Sequence, residues 1–152
     1  MNETSCELPE CTGVDEEISA ILDESRVVAV VGLSPNSEKD SYRVGRYLQE
    51  HGYRIIPVNP VYPEILGEKS YASLMEIPFD VDVVDIFRKV EAIPEVVEEA
   101  IRKKIKTVWM QLGLSHNEAA AKAIASGLKV VQNRCMRIEH NKRKSRSDEM
   151  PG

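Results

Sequence analysis

The sequence has little of what marks several common classes of protein. Its longest apolar run, residues 27–33, is far shorter than the roughly 20 residues of a transmembrane helix. Residues 2–5 supply neither the basic stretch nor the apolar core that opens a secretory signal, so no signal peptide is predicted. The three cysteines are an odd number in a chain of 152 residues, which is long enough to fold without disulfides. These absences predict a protein of the reducing cytoplasm with no membrane partner.

The sequence also lacks an excess of positive charge. Twenty Lys and Arg residues stand against 25 Asp and Glu residues, which gives a formal net charge of -5. A surface that binds nucleic acid broadly needs the opposite sign, so nucleic acid is not an expected partner. Residues 1–25 are acidic and the last residues are basic, whereas the region between them is nearly neutral. We expect a flexible acidic leader over residues 1–13, one domain over residues 14–140, and a disordered polar basic tail over residues 141–152.

The cysteines offer little to a metal ion. Cys6 and Cys11 would supply half of a zinc site, but a structural zinc ion needs four ligands and no second pair of cysteines follows. No metal centre is therefore expected.

Short runs rich in β-branched residues recur along the chain and alternate with helical patterns. The predicted strands are residues 27–31, 54–58, 82–87, 106–111 and 128–132. Most of them are nearly continuous apolar stretches, which are typical of parallel strands covered on both faces. The alternation predicts an α/β fold, a Rossmann-like, doubly wound parallel sheet of five strands with helices on both faces.

The strand order expected for this sheet is 3-2-1-4-5, a common order in doubly wound folds. Such sheets bind ligands beyond the carboxyl ends of their strands, at the point where the strand order reverses. In this order the reversal lies between the first and fourth strands. The loops after Val31 and Gln111 are therefore the predicted binding region.

The loop after the first predicted strand is the first candidate for a ligand site. It begins with Gly32 and contains a proline, an asparagine and two serines before a predicted helix. A glycine lets a phosphate approach the backbone, and the N–H groups at a helix start favour an anion. The alternative is an ordinary turn, because all of these are turn residues and Glu38 and Asp40 add negative charge. The loop alone leaves both interpretations open.

Two specific phosphate-binding motifs are absent. The dinucleotide fingerprint G-x-G-x-x-G is not formed, because the glycine that follows Gly32 is Gly45, inside the predicted helix. The acid that would hold the ribose after the second strand is replaced by Asn59. The P-loop motif G-x-x-x-x-G-K-[ST] occurs nowhere. The sequence therefore disfavours ordinary NAD binding and excludes a P-loop NTPase.

Six short segments are more informative about relatives of this chain than its periodicity is. In order, they are Val30-Val31-Gly32-Leu33-Ser34-Pro35, Pro57-Val58-Asn59-Pro60, Ile65-Leu66-Gly67-Glu68-Lys69, Val83-Val84-Asp85-Ile86-Phe87-Arg88, Val108-Trp109-Met110-Gln111-Leu112-Gly113 and Asn133-Arg134-Cys135. Together they resemble the small stand-alone CoA-binding proteins of the YccU-like family, which are related to the CoA-binding domain of the succinyl-CoA synthetase α-subunit. The resemblance covers about residues 20–140. It implies a Rossmann-like domain that binds coenzyme A.

The resemblance also implies which residues contact the ligand. Those at the diphosphate are Gly32, Leu33 and Ser34, joined at the start of the following helix by Ser41, Tyr42 and Arg43. Those at the adenosine end are Val58, Asn59 and Pro60. Those along the pantetheine are Phe87, Arg88 and Gln111. Lys69 and Arg43 are the two candidates for the 3′-phosphate.

No catalytic residue is expected. Ligases that contain this domain act through a phosphorylated histidine in a separate domain, and the three histidines here lie at helix ends or at the start of the tail. Motifs such as H-E-x-x-H and G-x-S-x-G are absent. Cys135 follows the fifth strand at the edge of the predicted site. It is either a half-buried structural thiol or a partner for a mixed disulfide with CoA.

The resulting expectation is a protein that binds CoA or an acyl-CoA and is not catalytic alone. One alternative is a dissociated subunit of an acyl-CoA synthetase-type enzyme, which would need a partner chain. The other is a nicotinamide-nucleotide sensor, which would need a DNA-binding domain. A homo-oligomer or a partner enzyme subunit is compatible with this expectation.

Overall fold

The structure, a computed structural model, describes residues 15–149. Its strands are β1 (Val27–Val31), β2 (Arg54–Val58), β3 (Glu64–Ile65), β4 (Glu68–Lys69), β5 (Val83–Ile86), β6 (Thr107–Met110) and β7 (Lys129–Val131). Its helices are α1 (Asp15–Glu24), α2 (Asp40–Glu50), α3 (Ile93–Lys103), α4 (Asn117–Ala125) and α5 (Met136–Glu149). The five predicted strands are confirmed, each within one residue of its predicted ends. The leader predicted at residues 1–13 lies outside the described residues.

The five long strands form one parallel sheet with the order β2-β1-β5-β6-β7. When these five strands are numbered along the chain, the order is 2-1-3-4-5, so the predicted order 3-2-1-4-5 is wrong. The third strand, β5, pairs with β1 and places Val83 opposite Val28. The reversal of strand order therefore lies between β1 and β5. The loops beside it follow Val31 and Ile86, and the predicted loop after Gln111 is one strand further away.

Pro57 explains why β2 lies at the edge of the sheet. Proline has no N–H to donate and is confined to edge strands, whereas the predicted order would have placed β2 inside the sheet. The outer side of β2 is covered by the segment around Tyr71. The Tyr71 N–H donates to the Pro57 oxygen at 3.0 Å, and the Asn59 N–H donates to the Tyr71 oxygen at 2.8 Å.

Helices cover both faces of the sheet, as predicted. Apolar residues of α1, α2 and α5 pack on one face, where Trp109 is fully buried. Apolar residues of α3 and α4 pack on the other face. Right-handed crossovers require this division, because the chain moves in opposite directions across the sheet before and after β2.

The ends of the helices follow local chemistry. Helix α2 stops before Gly52, which has a φ of +95°. Helix α4 is capped by His116, whose Nδ1 accepts from the Ala119 N–H at 3.1 Å. Its neighbours Ser115 and Asn117 are of residue types that are more common at an N-cap, but neither caps this helix. Helix α5 continues to Glu149, so residues 141–149 are helical where the sequence predicts a disordered tail. Among the described residues, no helix is both long enough and apolar enough to cross a bilayer.

Candidate functional site

Gly32 lies at the reversal of strand order. Its φ is +91°, and a Cβ atom built on it would lie 2.3 Å from the carbonyl oxygen of Phe87. Its N–H donates to the Val58 oxygen at 3.0 Å. The glycine therefore lets the chain leave β1 directly against the end of β5. Packing against β5 therefore requires a glycine at this position, in addition to the close approach of a phosphate that the sequence suggested.

The loop after β1 is held by its own side chains. The Ser34 N–H donates to the Ser41 Oγ at 3.0 Å, while the Ser34 Oγ accepts from the Asn36 N–H at 3.0 Å. The Asn36 Oδ1 accepts from the Glu38 N–H at 2.9 Å. Helix α2 then begins with no side-chain hydrogen bond to cap its N-terminus. The first N–H groups of this helix are therefore oriented toward any anion placed there.

Asn59 joins the loops that follow β1 and β2. Its Nδ2 donates to the Leu33 oxygen at 3.0 Å, and its Oδ1 accepts from the Val61 N–H at 2.8 Å. Its backbone oxygen accepts from the Ser70 Oγ at 3.0 Å. Because both ends of the amide are engaged within the protein, Asn59 braces these two loops.

A cleft of about 530 Å³ opens at the carboxyl edge, between the start of α2 and the start of α5. Its basic residues are Arg43, Arg88, Lys89 and Arg137, and its acidic residue is Asp40. Its remaining residues are Val44, Phe87, Gln111, Leu112, Leu114, Cys135 and Ile138. The surface therefore combines apolar walls with an excess of positive charge, although the chain as a whole is acidic.

A smaller cleft of about 180 Å³ lies beyond the ends of β1 and β2, beside α3. It is lined by Val31, Val58, Pro60, Ala72, Ser73, Arg88, Glu95, Val96 and Glu99. Arg88 lines both clefts, so the two clefts share this residue. An extended ligand that crossed the sheet edge would pass this side chain.

Gln111 follows β6 in the wall of the larger cleft. The residue is 6% exposed, and its Oε1 has no hydrogen-bond partner among the described residues. A buried amide oxygen without a partner costs free energy, which a ligand N–H would recover.

Asp85 is a second buried polar side chain on the same face of the sheet. It lies in the middle of β5, between Val30 and Trp109 of the neighbouring strands, and is fully buried. Neither carboxyl oxygen has a partner among the described residues. Burial raises the pKa of Asp85 well above its usual value of 3.8, so the protonated form is favoured. The sequence places Asp85 inside an apolar strand, but its burial and lack of a partner become visible only in the structure.

The structure brings most of the predicted site residues to one edge of the sheet. Those that line the larger cleft are Arg43, Phe87, Arg88 and Gln111, and those that line the smaller cleft are Val58, Pro60 and Arg88. Those that form or brace the connecting loops are Gly32, Leu33, Ser34, Ser41 and Asn59. Leu33 is fully buried in the core, so it presents no surface to a ligand and supports the loop from beneath. Tyr42 and Lys69 line neither of these clefts.

Sequence reasoning missed several residues of the larger cleft. Lys89 adds positive charge next to Arg88, and Leu112 adds apolar surface that is 59% exposed. Arg137 and Ile138 lie in the first turn of α5 and close the far wall. The signal that could have pointed to Arg137 is the group of basic residues directly after the fifth strand.

The histidines lie away from both clefts. The Tyr47 hydroxyl and the His140 Nδ1 are 2.9 Å apart, and the His51 ring stacks on the Tyr47 ring with centroids 4.0 Å apart. His116 caps α4. Within residues 15–149, no group of three or more His, Cys, Asp or Glu side chains is arranged to hold a metal ion.

Comparison with known proteins places this geometry in a family. A family model described as a CoA binding domain matches residues 26–141. The uncharacterized protein YneT of Bacillus subtilis (strain 168) is 40% identical over 124 residues, which cover 82% of this chain and 92% of YneT. The solved structure of a hypothetical protein from Pyrococcus horikoshii OT3 is 46% identical and superimposes with a TM-score of 0.83, covering 85% of this chain and 91% of that one.

Larger enzymes contain a related region. The ADP-forming acetate–CoA ligase of Methanocaldococcus jannaschii is 34% identical over 79 residues, which are 52% of this chain but only 11% of the ligase. The similarity to the ligase is therefore confined to one region of that enzyme. The resemblance noted in the sequence is confirmed, and the chain belongs to the family of CoA binding domains.

Proposed function

We propose that this protein binds CoA or an acyl-CoA at the carboxyl edge of its sheet and is not catalytic alone. The observation that carries the proposal is the larger cleft, in which four basic side chains surround apolar walls. CoA combines phosphates with a long, weakly polar pantetheine arm. A cleft with both properties matches such a ligand better than it matches a small anion or a purely apolar molecule.

The ligand would follow the reversal of strand order. The diphosphate lies against the loop of Gly32 and Ser34 and the uncapped start of α2, where N–H groups and the Arg43 side chain supply positive potential. The adenosine lies at the smaller cleft, whose walls include Val58 and Pro60. The pantetheine extends into the larger cleft. Arg88 lies between these two parts and can contact the phosphates from either cleft.

A dissociated subunit of an acyl-CoA synthetase is the second candidate. The observation in its favour is that a region similar to this chain occurs within the much longer acetate–CoA ligase. Such a subunit would still bind CoA, but it would turn over only with a partner chain that supplied the remaining segments. The histidines of this chain lie away from both clefts, which favours the binding module over an enzyme complete in itself.

Thermal unfolding with a panel of nucleotides tests the proposal. The panel is CoA, acetyl-CoA, dephospho-CoA, NAD, NADP and ATP at matched ionic strength. A ligand at 100 times its dissociation constant adds about 2.7 kcal/mol, which raises the Tm of a chain of this size by several degrees. We expect CoA and acetyl-CoA to raise the Tm, dephospho-CoA to raise it less, and NAD to leave it unchanged.

Other results would point elsewhere. A rise with NAD alone would overturn the proposal and favour the nicotinamide sensor. No rise with any member of the panel would contradict the binding module acting alone. Repeating the panel with a candidate ATP-binding partner chain would then test the dissociated subunit.

A further inference from the structure

Cys135 lies where the larger cleft meets the start of α5. It is the last residue before the helix, and its backbone oxygen accepts from the Glu139 N–H at 2.9 Å. It is the free cysteine of the described residues, it is 6% exposed, and it forms part of the cleft wall. A molecule in the cleft therefore reaches this thiol while bulk solvent touches little of it.

A second, independent observation in the same cleft points to the kind of molecule. Gln111 is nine-tenths buried, lines the cleft, and carries an Oε1 without a hydrogen-bond partner among the described residues. The Oε1 atom is buried, and the terminal amide torsion is broad, so a ligand is contacted after rotation of the amide toward the cleft. The reactive end of CoA is a thiol joined by a short ethylene link to an amide N–H. One wall of the cleft thus offers an acceptor for that N–H, and another offers a sulfur for that thiol.

We propose that Cys135 is a site of covalent CoA attachment, at which a bound CoA disulfide exchanges with the protein thiol. The proposal rests on the proposed function, because CoA recognition by the cleft selects the disulfide that reacts. The buried position of Cys135 explains why a matched ligand would react and an unmatched one would not. Positive charge from Arg137 in the same cleft favours binding of the anionic CoA disulfide.

The reaction is a balanced thiol–disulfide exchange. The Cys135 thiol loses its proton to solvent, and the thiolate attacks one sulfur of the CoA disulfide. A new S–S bond forms between Cys135 and one CoA, the original S–S bond breaks, and the second CoA leaves as a thiolate that takes up a proton. The oxidant is the CoA disulfide, in which one sulfur is reduced as the protein sulfur is oxidised. A reducing thiol reverses the step and frees Cys135.

The test is intact and peptide mass spectrometry of the full chain incubated with CoA disulfide. Cys6 and Cys11 also carry thiols, so each adduct must be located. Cleavage after acidic residues releases residues 119–139, a peptide that contains Cys135 as its single cysteine. The comparison reagent is glutathione disulfide at the same concentration. The comparison proteins are Cys135→Ala, Cys6→Ser/Cys11→Ser and Gln111→Leu.

We expect the 119–139 peptide to gain one CoA, removable by dithiothreitol, at least about tenfold faster than it gains glutathione. Acetyl-CoA, whose sulfur is blocked, should protect Cys135. The Cys6→Ser/Cys11→Ser protein should react like the wild type, and Cys135→Ala should lose this adduct. Gln111→Leu should slow the reaction with CoA disulfide while leaving alkylation by iodoacetamide unchanged, which separates ligand positioning from thiol accessibility.

Two results would overturn this inference while the proposed function stands. One is a Tm rise with CoA without any adduct in the 119–139 peptide. The other is an equal rate with glutathione disulfide, which would make Cys135 an unselective thiol. If CoA neither raises the Tm nor protects any thiol, both the inference and the proposed function fail.

Discussion

The two edges of the parallel sheet differ in how the polar groups next to β5 and β6 are paired. At the amino edge, the Asp82 carboxylate accepts the N–H groups of Arg26 at 2.9 Å and Val27 at 3.0 Å. The Lys106 ammonium lies 3.6 Å from the same carboxylate. At the carboxyl edge, the Gln111 Oε1 has no partner among the described residues, and four basic side chains share a cleft with one acid.

This difference indicates that the two edges of the sheet have different roles. The amino edge also has a depression, of about 270 Å³, but Lys106 in its lining is already paired with Asp82. Polar groups at that edge join β5 to β1 and contribute to stability. Basic side chains at the carboxyl edge outnumber the acids and are available to bind a ligand, and this is the edge where doubly wound sheets bind their ligands.

The largest effect is expected from Gly32→Ala. A Cβ atom there would meet the Phe87 oxygen at 2.3 Å, and the φ of +91° is itself unfavourable for alanine. We expect the free energy of unfolding to fall by about 3 kcal/mol, measured by urea denaturation. The control is Gly127→Ala at the amino edge, where φ is +93° but no atom lies within 4 Å of the Cβ position. Its loss should be about 1 kcal/mol, and equal losses at both sites would contradict the packing role of Gly32.

Asp82→Ala should remove about 2–3 kcal/mol of stability at neutral pH without changing CoA affinity, because it deletes two charge-assisted hydrogen bonds at the amino edge. Asp82→Asn keeps one acceptor and should lose about half as much. Denaturation of each variant, with CoA titration of the folded protein, measures both quantities. A loss of CoA affinity in Asp82→Ala would contradict the assignment of different roles to the two edges.

The same residue predicts a dependence on acid. Burial would raise the pKa of Asp82, but hydrogen bonds from the Val27 and Arg26 N–H groups and the charge of Lys106 outweigh it and lower the pKa below 3.8. The stabilisation from Asp82 is therefore present above pH 3.8 and is lost as the pH falls through the lower folded-state value. The difference between wild type and Asp82→Ala should shrink in strong acid, and a constant difference would contradict this account.

Asp85→Asn should show the opposite dependence on pH. Burial raises the pKa of Asp85 well above 3.8, so the folded protein keeps this proton to a higher pH than the unfolded chain does. The ionisation of Asp85 contributes nothing to stability below about pH 4, and from there the wild type loses up to about 1.4 kcal/mol per pH unit relative to Asp85→Asn. Denaturation of both proteins from pH 4 to pH 8 measures the difference. A difference that did not change with pH would contradict a raised pKa.

Arg88→Ala should weaken CoA binding about tenfold and change stability by less than about 0.5 kcal/mol, since the side chain is exposed between the two clefts. The matched control is Arg46→Ala, which removes an exposed arginine of α2 that pairs with Glu50 at 3.1 Å. Calorimetric titration of both variants measures the affinity. Equal CoA affinities in the two variants would show that Arg88 does not contribute to CoA binding.

The sequence was sufficient to predict the strands and the sheet edge at which the candidate site lies. The apolar runs set the strands within one residue, because parallel strands buried on both faces tolerate few polar residues. The family resemblance located the loops that follow β1, β2 and β5. Gly52 directly follows the C-cap residue of α2, which is a position that glycine favours.

The strand order could have been predicted better than it was. Pro57 within the second strand indicates an edge position, and this local signal outweighs the common order of doubly wound folds. The carboxylate of Asp82 confirms the actual pairing by joining β5 to β1, but nothing local in the sequence says which N–H groups it accepts. Long-range partners of this kind are set by tertiary packing.

The periodicity of the sequence did not predict the far wall of the larger cleft. Arg137 and Ile138 line it because α5 folds back on the sheet, whereas the polar sequence beyond residue 140 resembles a loose tail. Met136 and Cys135 anchor the helix start in the core, and these two residues carry too little periodicity to predict a helix.

Backbone amide NMR during a titration with CoA tests the central claim most directly, because it reports on both edges in one experiment. The account predicts shifts at Ser34, Arg88 and the side-chain amide of Gln111, with the amides of Arg26 and Val27 unchanged. Shifts confined to the amino edge, or no shifts at saturating CoA, would contradict a CoA site at the carboxyl edge.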